Sequence, residues 1–141
     1  MMQLLTNNNC ATSGTSSVKL LDTNIIIYLQ KGLLAEDLPT DDYGISVITE
    51  MELRSAPSLD EQDRQWLLEF IKDVTVFELT STVKENAIQI RQNKKVKLPD
   101  AIVAATAITH DAELLTNDKG LLNLHNLSAK EVKIAESQTG K

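Results

Sequence analysis

The stretch VKLLDTNIIIYLQKG, residues 18–32, sets the fold class. VKLLDT is a short apolar run that ends on an acid, Asp22. NIIIYLQKG then continues with helical spacing to Gly32, a glycine placed where a helix closes through a positive φ. A strand passing straight into a helix is the opening half of a parallel β-α-β unit. The chain downstream repeats that alternation. GISVIT (44–49) is a β-branched run expected as the second strand, followed at once by the helical spacing of EMELRSA (50–56). Ser58 and Glu61 predict a capping box ahead of EQDRQWLLEFIKD (61–73), where Trp66 with Phe70 and Leu67 with Ile71 bury one face. VTVFELT (74–80) alternates as a third strand, and Thr82 with Glu85 caps a helix running to about Asn93. Pro99 suits the first turn of a helix over DAIVAATAIT (100–109). ELLTND (113–118) is a fourth strand, and EVKIA (131–135) offers a fifth. The expectation is an α/β three-layer sandwich with a four- or five-stranded parallel sheet.

Upstream, MMQLLTNNNCATSGTSS (1–17) is polar and without periodicity, so residues 1–17 are expected as a disordered extension. One domain over 18–136 and a tail over 137–141 complete the organisation. The chain's 141 residues suit one core rather than two, and 42% hydrophobic with 24% charged residues is a globular balance. No apolar run approaches the roughly 20 residues of a membrane span, and the start lacks the basic and apolar segments of a secretory signal. A cytoplasmic address without membrane association is expected. The single Cys10 can form no internal disulfide.

A net charge of −6 argues against a protein that coats nucleic acid, because phosphate binding ordinarily needs a basic face. The objection weakens if several acids form one metal site, since a divalent cation reverses the local sign. Direction along the chain supports such a site. Asp22 and Asp118 end apolar strands at the carboxyl edge of the sheet, where open α/β folds form their ligand crevice. Glu52 is expected in the first turn of the helix leaving strand two. The helix opened by Asp100 feeds strand four through a short turn, so its start lies at that same edge. Each acid alone has an ordinary explanation: a dipole complement for Asp100, a capping partner of Thr49 for Glu52, turn residues for Asp22 and Asp118. Four like charges at one crevice, however, repel unless a cation offsets them. An oxygen-only set suits Mg2+ or Mn2+, whereas His110, His125 and Cys10 show no zinc spacing.

The blocks LLDTNIIIYL, ISVITEMEL, LPDAIVAATA and LLTND resemble, in order and spacing, the signature blocks of the PIN-domain ribonucleases, VapC-type toxins above all. That resemblance implies Mg2+- or Mn2+-dependent endoribonuclease activity, a homodimer, and inhibition by a cognate antitoxin protein. By position it implies Asp22 and Asp100 as direct metal ligands, Glu52 and Asp118 as ligands acting partly through water, and Asn24 and Thr116 as hydrogen-bonding supports. Glu50 rivals Glu52, but the resemblance favours Glu52, whose follower, Leu53, is the one the family block shows. The chain departs from the family pattern at NKKVK (93–97), often a glycine-bearing turn, and at Leu121 and Leu122, where an aromatic is usual. Lys94, Lys95 and Lys97 are candidates for holding RNA phosphates, against the alternative of a solvated loop. Two competing readings are an aspartyl-phosphate phosphotransfer domain and a non-catalytic PIN-fold binding module. A second acid two positions after Asp22, which one phosphotransfer class requires, is replaced by Asn24.

Overall fold

A computed structural model describes residues 18–135. The expected extension over 1–17 and tail over 137–141 lie outside the described residues. The elements are β1 (Lys19–Leu21), α1 (Thr23–Gln30), β2 (Tyr43–Ser46), α2 (Val47–Arg54), α3 (Glu61–Asp73), β3 (Thr75–Phe77), α4 (Ser81–Asn93), α5 (Leu98–Thr109), β4 (Glu113–Leu115), α6 (Lys119–Leu122) and β5 (Ala129–Lys130). All strands are parallel, in the order β3-β2-β1-β4-β5. The α/β sandwich read from the sequence is therefore present with five strands.

Adjacent residues of the central strands supply the two faces, as the period of a strand requires. Leu21 and Leu115 join Ile25, Ile26, Ile45, Leu53, Leu67 and Phe70 in one core. Leu20 and Leu114 point the other way and meet Val103, Ala104 and Ala107 of α5 with Leu121 of α6. The alanine-rich α5 is buried along nearly its whole length because α4 packs along its outer side, through Val83 and Ala87. Small side chains let the helix serve two interfaces at once.

Local chemistry moved several expected boundaries. Val47, Ile48 and Thr49, expected in the second strand, begin α2 instead, because Ser46 accepts the Ile48 N–H at 3.1 Å and caps the helix there. A satisfied N-cap outweighs the β propensity of three branched residues. Glu52 consequently lies in the second turn of α2, and the expected Thr49–Glu52 capping pair does not form. Asp60 and Asp63, in place of Ser58 and Glu61, make the reciprocal cap of α3 at 2.8 and 3.3 Å. Thr80, in place of Thr82, caps α4 by accepting from the Val83 N–H at 3.2 Å. The fifth strand falls on Ala129–Lys130, in register with Leu114 and Leu115, so EVKIA is displaced from the sheet. Ile134 forms an antiparallel bridge to Leu34 instead, and the Ala35 and Ala135 N–H groups bond across it.

Two glycines answer to space or conformation. Gly32 has φ +69°, past the end of α1, where the sequence placed it. At Gly44 a Cβ would meet the Phe77 ring at 2.5 Å, so β2 and β3 pair closely only because that position is bare.

Candidate functional site

Asp22 ends β1 and is the N-cap of α1. Its Oδ1 accepts the Thr23 N–H at 2.8 Å, and its Oδ2 accepts from the Thr116 hydroxyl at 2.6 Å. Asp118 follows β4 and caps the four-residue α6, its Oδ1 accepting from the Gly120 N–H at 2.8 Å and the Leu121 N–H at 3.3 Å. Both acids thus have the ordinary capping role, and both stand at the carboxyl end of neighbouring central strands. Thr116 links them, since its Oγ1 also accepts the Asp118 N–H at 3.0 Å. Asn117, between the two, accepts the Val132 N–H at 2.8 Å and fastens the chain that follows β5. Each residue of the Thr-Asn-Asp triplet thus has a separate task.

Asp100 reaches the same rim from α5, which runs back against β4. The turn between them passes through Asp111 at φ 54°, and the Ala112 N–H bonds to the Ala107 carbonyl at 2.8 Å. That left-handed residue, a conformation aspartate tolerates, reverses the chain so abruptly that the start of α5 must lie at the carboxyl edge. Asp100 occupies the first turn of α5, which has no side-chain cap. Glu52 arrives from α2, where its Oε1 accepts from the Thr23 hydroxyl at 2.8 Å. Glu50 faces elsewhere and pairs with Arg54 at 3.0 Å. The geometry therefore separates the two glutamates, which one turn of helix had left as rivals.

Asp22 and Asp100 feel the other acids of the rim. The Asp22 carboxyl is raised above its ordinary range, first by burial, then by the charges of Asp118 and Glu52, while the Thr116 and Thr23 hydrogen bonds pull it down. Asp100 is likewise raised by burial, then by Asp118, Asp22 and Glu52, with Lys97 opposing. Among the described residues, no three acid, histidine or cysteine side chains are gathered tightly enough to form a ready-made metal cage. Asp22 and Asp100 are near enough to the other acids for like charge to add to the cost of their burial. The donor set is all oxygen and all anionic, and so fits a hard divalent cation.

Of the expected supports, Thr116 is buried and bonded to Asp22, but Asn24 is exposed and makes no side-chain hydrogen bond among the described residues. Thr23 takes that supporting position instead. Its hydroxyl holds Glu52 and lies 3.2 Å from the Oγ1 of buried Thr49. A hydroxyl directly after the strand-ending acid was the available signal. Lys94, Lys95 and Lys97 line an open cavity of about 390 Å³ together with Asp100 and Asp118. The Arg91 Nε–H bonds to the Val96 carbonyl at 3.0 Å and steadies this basic loop. Phe70 and Tyr43 are buried and Trp66 stacks on Phe70, as expected of core aromatics.

Residues 19–127 match the family model described as PIN domain. A toxin–antitoxin complex from Klebsiella pneumoniae contains a chain 30% identical to this one, with a TM-score of 0.64 over 77% of this chain and 94% of that one. VapBC-1 from nontypeable Haemophilus influenzae is 25% identical, with a TM-score of 0.67 over 81% and 97% of the two chains. The fold is also that of VapBC2 from Rickettsia felis bound to a promoter DNA fragment, at 20% identity and a TM-score of 0.68 over 82% and 99%. No curated protein matches the chain. With the matched region spanning its central strands and all four rim acids, the chain belongs to the PIN-domain family and, within it, to the VapC-type toxins of toxin–antitoxin systems.

Proposed function

We propose that the protein is a divalent-cation-dependent endoribonuclease, the toxin of a toxin–antitoxin pair, with its active centre at Asp22, Glu52, Asp100 and Asp118. The observation that carries this reading is that four carboxylates drawn from four separate elements stand at one rim, where the charges of their neighbours add to burial in raising Asp22 and Asp100. Fixed anions without a counterion oppose folding, so the fold tolerates their repulsion for something other than stability. Asp22 and Asp100 are the ligands for Mg2+ or Mn2+, with Glu52 and Asp118 completing the set partly through water. Such an ion, when bound, neutralises phosphate charge and acidifies a water molecule.

The chain's own groups supply orientation and charge. Thr116 fixes the Asp22 carboxylate, and Thr23 holds Glu52 through its Oε1, so the acids act as an oriented scaffold of charge. Water adds to the backbone phosphorus, the bond to the 3′ oxygen breaks, and that oxygen takes up a proton. The products are a 3′ hydroxyl and a 5′ phosphate. Lys94, Lys95 and Lys97 hold flanking phosphates beside Asp100 and Asp118, which answers the objection raised by the net charge of −6. The aspartyl-phosphate alternative gains no support, because the second acid that one phosphotransfer class needs two positions after Asp22 is Asn24.

A protein antitoxin, a homodimer and a cytoplasmic address belong to the same proposal. The partner chains in the Klebsiella and Haemophilus complexes support the first. Exposed Met51 and Leu98, the apolar neighbours of Glu52 and Pro99, offer contact surface beside the rim. No helix among the described residues is long and apolar enough to cross a membrane. The decisive assay is cleavage of RNA with and without Mg2+ or Mn2+. Activity should fall by about 10²–10³-fold in Asp22→Asn and Asp100→Asn, and full cation-dependent cleavage by either variant would overturn the assignment. Expression should arrest growth only when the neighbouring small open reading frame is absent.

A further inference from the structure

Beside the basic loop lies a second cavity, of about 400 Å³, between α4, the end of α5 and the chain after α6. Its volume falls within the range of about 300–1,000 Å³ typical of small-molecule sites. Its wall is rich in carboxamides: Asn86, Gln89 and Asn93 from α4, and Asn126 beside the imidazole of His125. Ile90, Ile108 and Leu124 supply the apolar part of the lining. No acidic side chain lines it, although the chain as a whole is acidic. Two of its residues, Lys94 and Leu124, also line the cavity that holds Asp100 and Asp118.

We propose that this cavity is a subsite for one unpaired nucleobase of the RNA strand whose backbone crosses the acid rim, a proposal that rests on the nuclease reading. Carboxamides present a donor beside an acceptor, the pattern that pairs with base edges, and an imidazole offers a plane for stacking. Asn86 is already oriented, with its Nδ2 donating to the Thr109 Oγ1 at 2.8 Å, which leaves its carbonyl oxygen and its second N–H for a ligand. Asn93 is held in the same way, its Nδ2 donating to the Gln89 carbonyl at 2.9 Å. Gln89, His125 and Asn126 are exposed, and so enter the site without a structural commitment. Lys94, at the junction of the two cavities, is placed for the phosphate that joins the held base to the next nucleotide. A strand reading one base here and passing Lys94 toward Asp100 and Asp118 would be cleaved with a sequence preference set outside the carboxylate cluster.

The test uses the full chain carrying Asp100→Asn, with fluorescein-labelled single-stranded RNA octamers of A, C, G or U in fluorescence polarisation. The expected result is at least a tenfold spread in Kd among the four octamers, collapsing to within twofold when His125→Ala and Asn126→Ala are added. Gln89→Ala alone, on the far wall, should narrow the spread. Equal binding of all four octamers, no binding of any, or a spread that survives the double substitution overturns the subsite. So does a free nucleoside monophosphate that competes as well as the octamer it matches, since that outcome assigns the cavity to a mononucleotide. RNA cleavage by the unsubstituted chain is measured in parallel. Base discrimination without cleavage would sink the nuclease reading and leave the subsite standing, and cleavage without base discrimination would do the reverse.

Discussion

The two ends of the sheet differ in how they settle their charges. At the amino end, Lys19 opens β1 between Glu113, at 3.2 Å, and Asp41, at 3.7 Å, so the acids there have a cation of the chain's own. At the carboxyl end four acids meet, and Lys97 is the one cation that offsets the raised Asp100. Burial compounds the contrast, because Asp22 is 7% exposed whereas the Lys19 pairs are about one-third exposed. The acids of the first end are paired with a lysine at 3.2 and 3.7 Å, whereas Asp22 and Asp100 at the second are raised by their acidic neighbours.

The comparison breaks most severely through the acids themselves. Asp100→Asn should lower cation-dependent RNA cleavage by about 10²–10³-fold, the loss typical when one fixed electrostatic group is removed from an active centre. The substitution also relieves repulsion, so the thermal midpoint without cation should hold or rise while kcat falls. A lower midpoint would mean that Asp100 is a structural residue.

Next in size is the effect of the cation on stability. Mn2+ at about a hundred times its Kd should stabilise the protein by roughly 2.7 kcal/mol in calorimetry, and Asp22→Asn should abolish the gain. The pH dependence has a definite sign. Asp22 and Asp100 titrate above their ordinary value of 3.8 in the folded state, so the folded chain holds its protons more tightly than the unfolded chain. Their contribution is fully present below the unfolded value and is lost as pH rises through the raised folded one. Cation-free denaturation should therefore show stability falling above pH 4 through these groups, and saturating Mn2+ should flatten that slope. An unchanged slope with Mn2+ would separate the two acids from the cation.

Thr116→Val should cost about 10–100-fold in cation affinity, because the hydroxyl that orients Asp22 is gone. Titration calorimetry measures this, and Thr116→Ser should recover most of the loss. The smallest effect belongs to the balanced end. Lys19→Met should change unfolding free energy by about 0.2–1 kcal/mol, the range of partly exposed pairs, and leave cleavage unaltered.

Much of this contrast could be read from the one-dimensional chain. The alternation of apolar strand and helix gave the parallel sandwich, and strand-ending acids gave Asp22 and Asp118 a common edge. The short link from α5 to β4 did the same for Asp100. Glu52 was placed at the right edge for a partly mistaken reason, because Ser46 starts α2 three residues before Thr49, the position expected to cap it. Boundaries set by competing caps, as at Asp60 and Thr80, were not legible, since several nearby side chains could each satisfy the same N–H groups. EVKIA carries a strand pattern that β4 does not use, because pairing there is already taken by Ala129 and Lys130.

By itself, then, the sequence determined the layers, the direction of each element and the rim to which the acids belong, because these follow from hydrophobic period and loop length alone. Tertiary structure alone decided that Thr23 and not Asn24 supports Glu52, that Glu50 turns to Arg54, and that an amide-lined cavity adjoins the basic loop. Those outcomes depend on which side chains meet across elements far apart in the chain. No local period records such meetings.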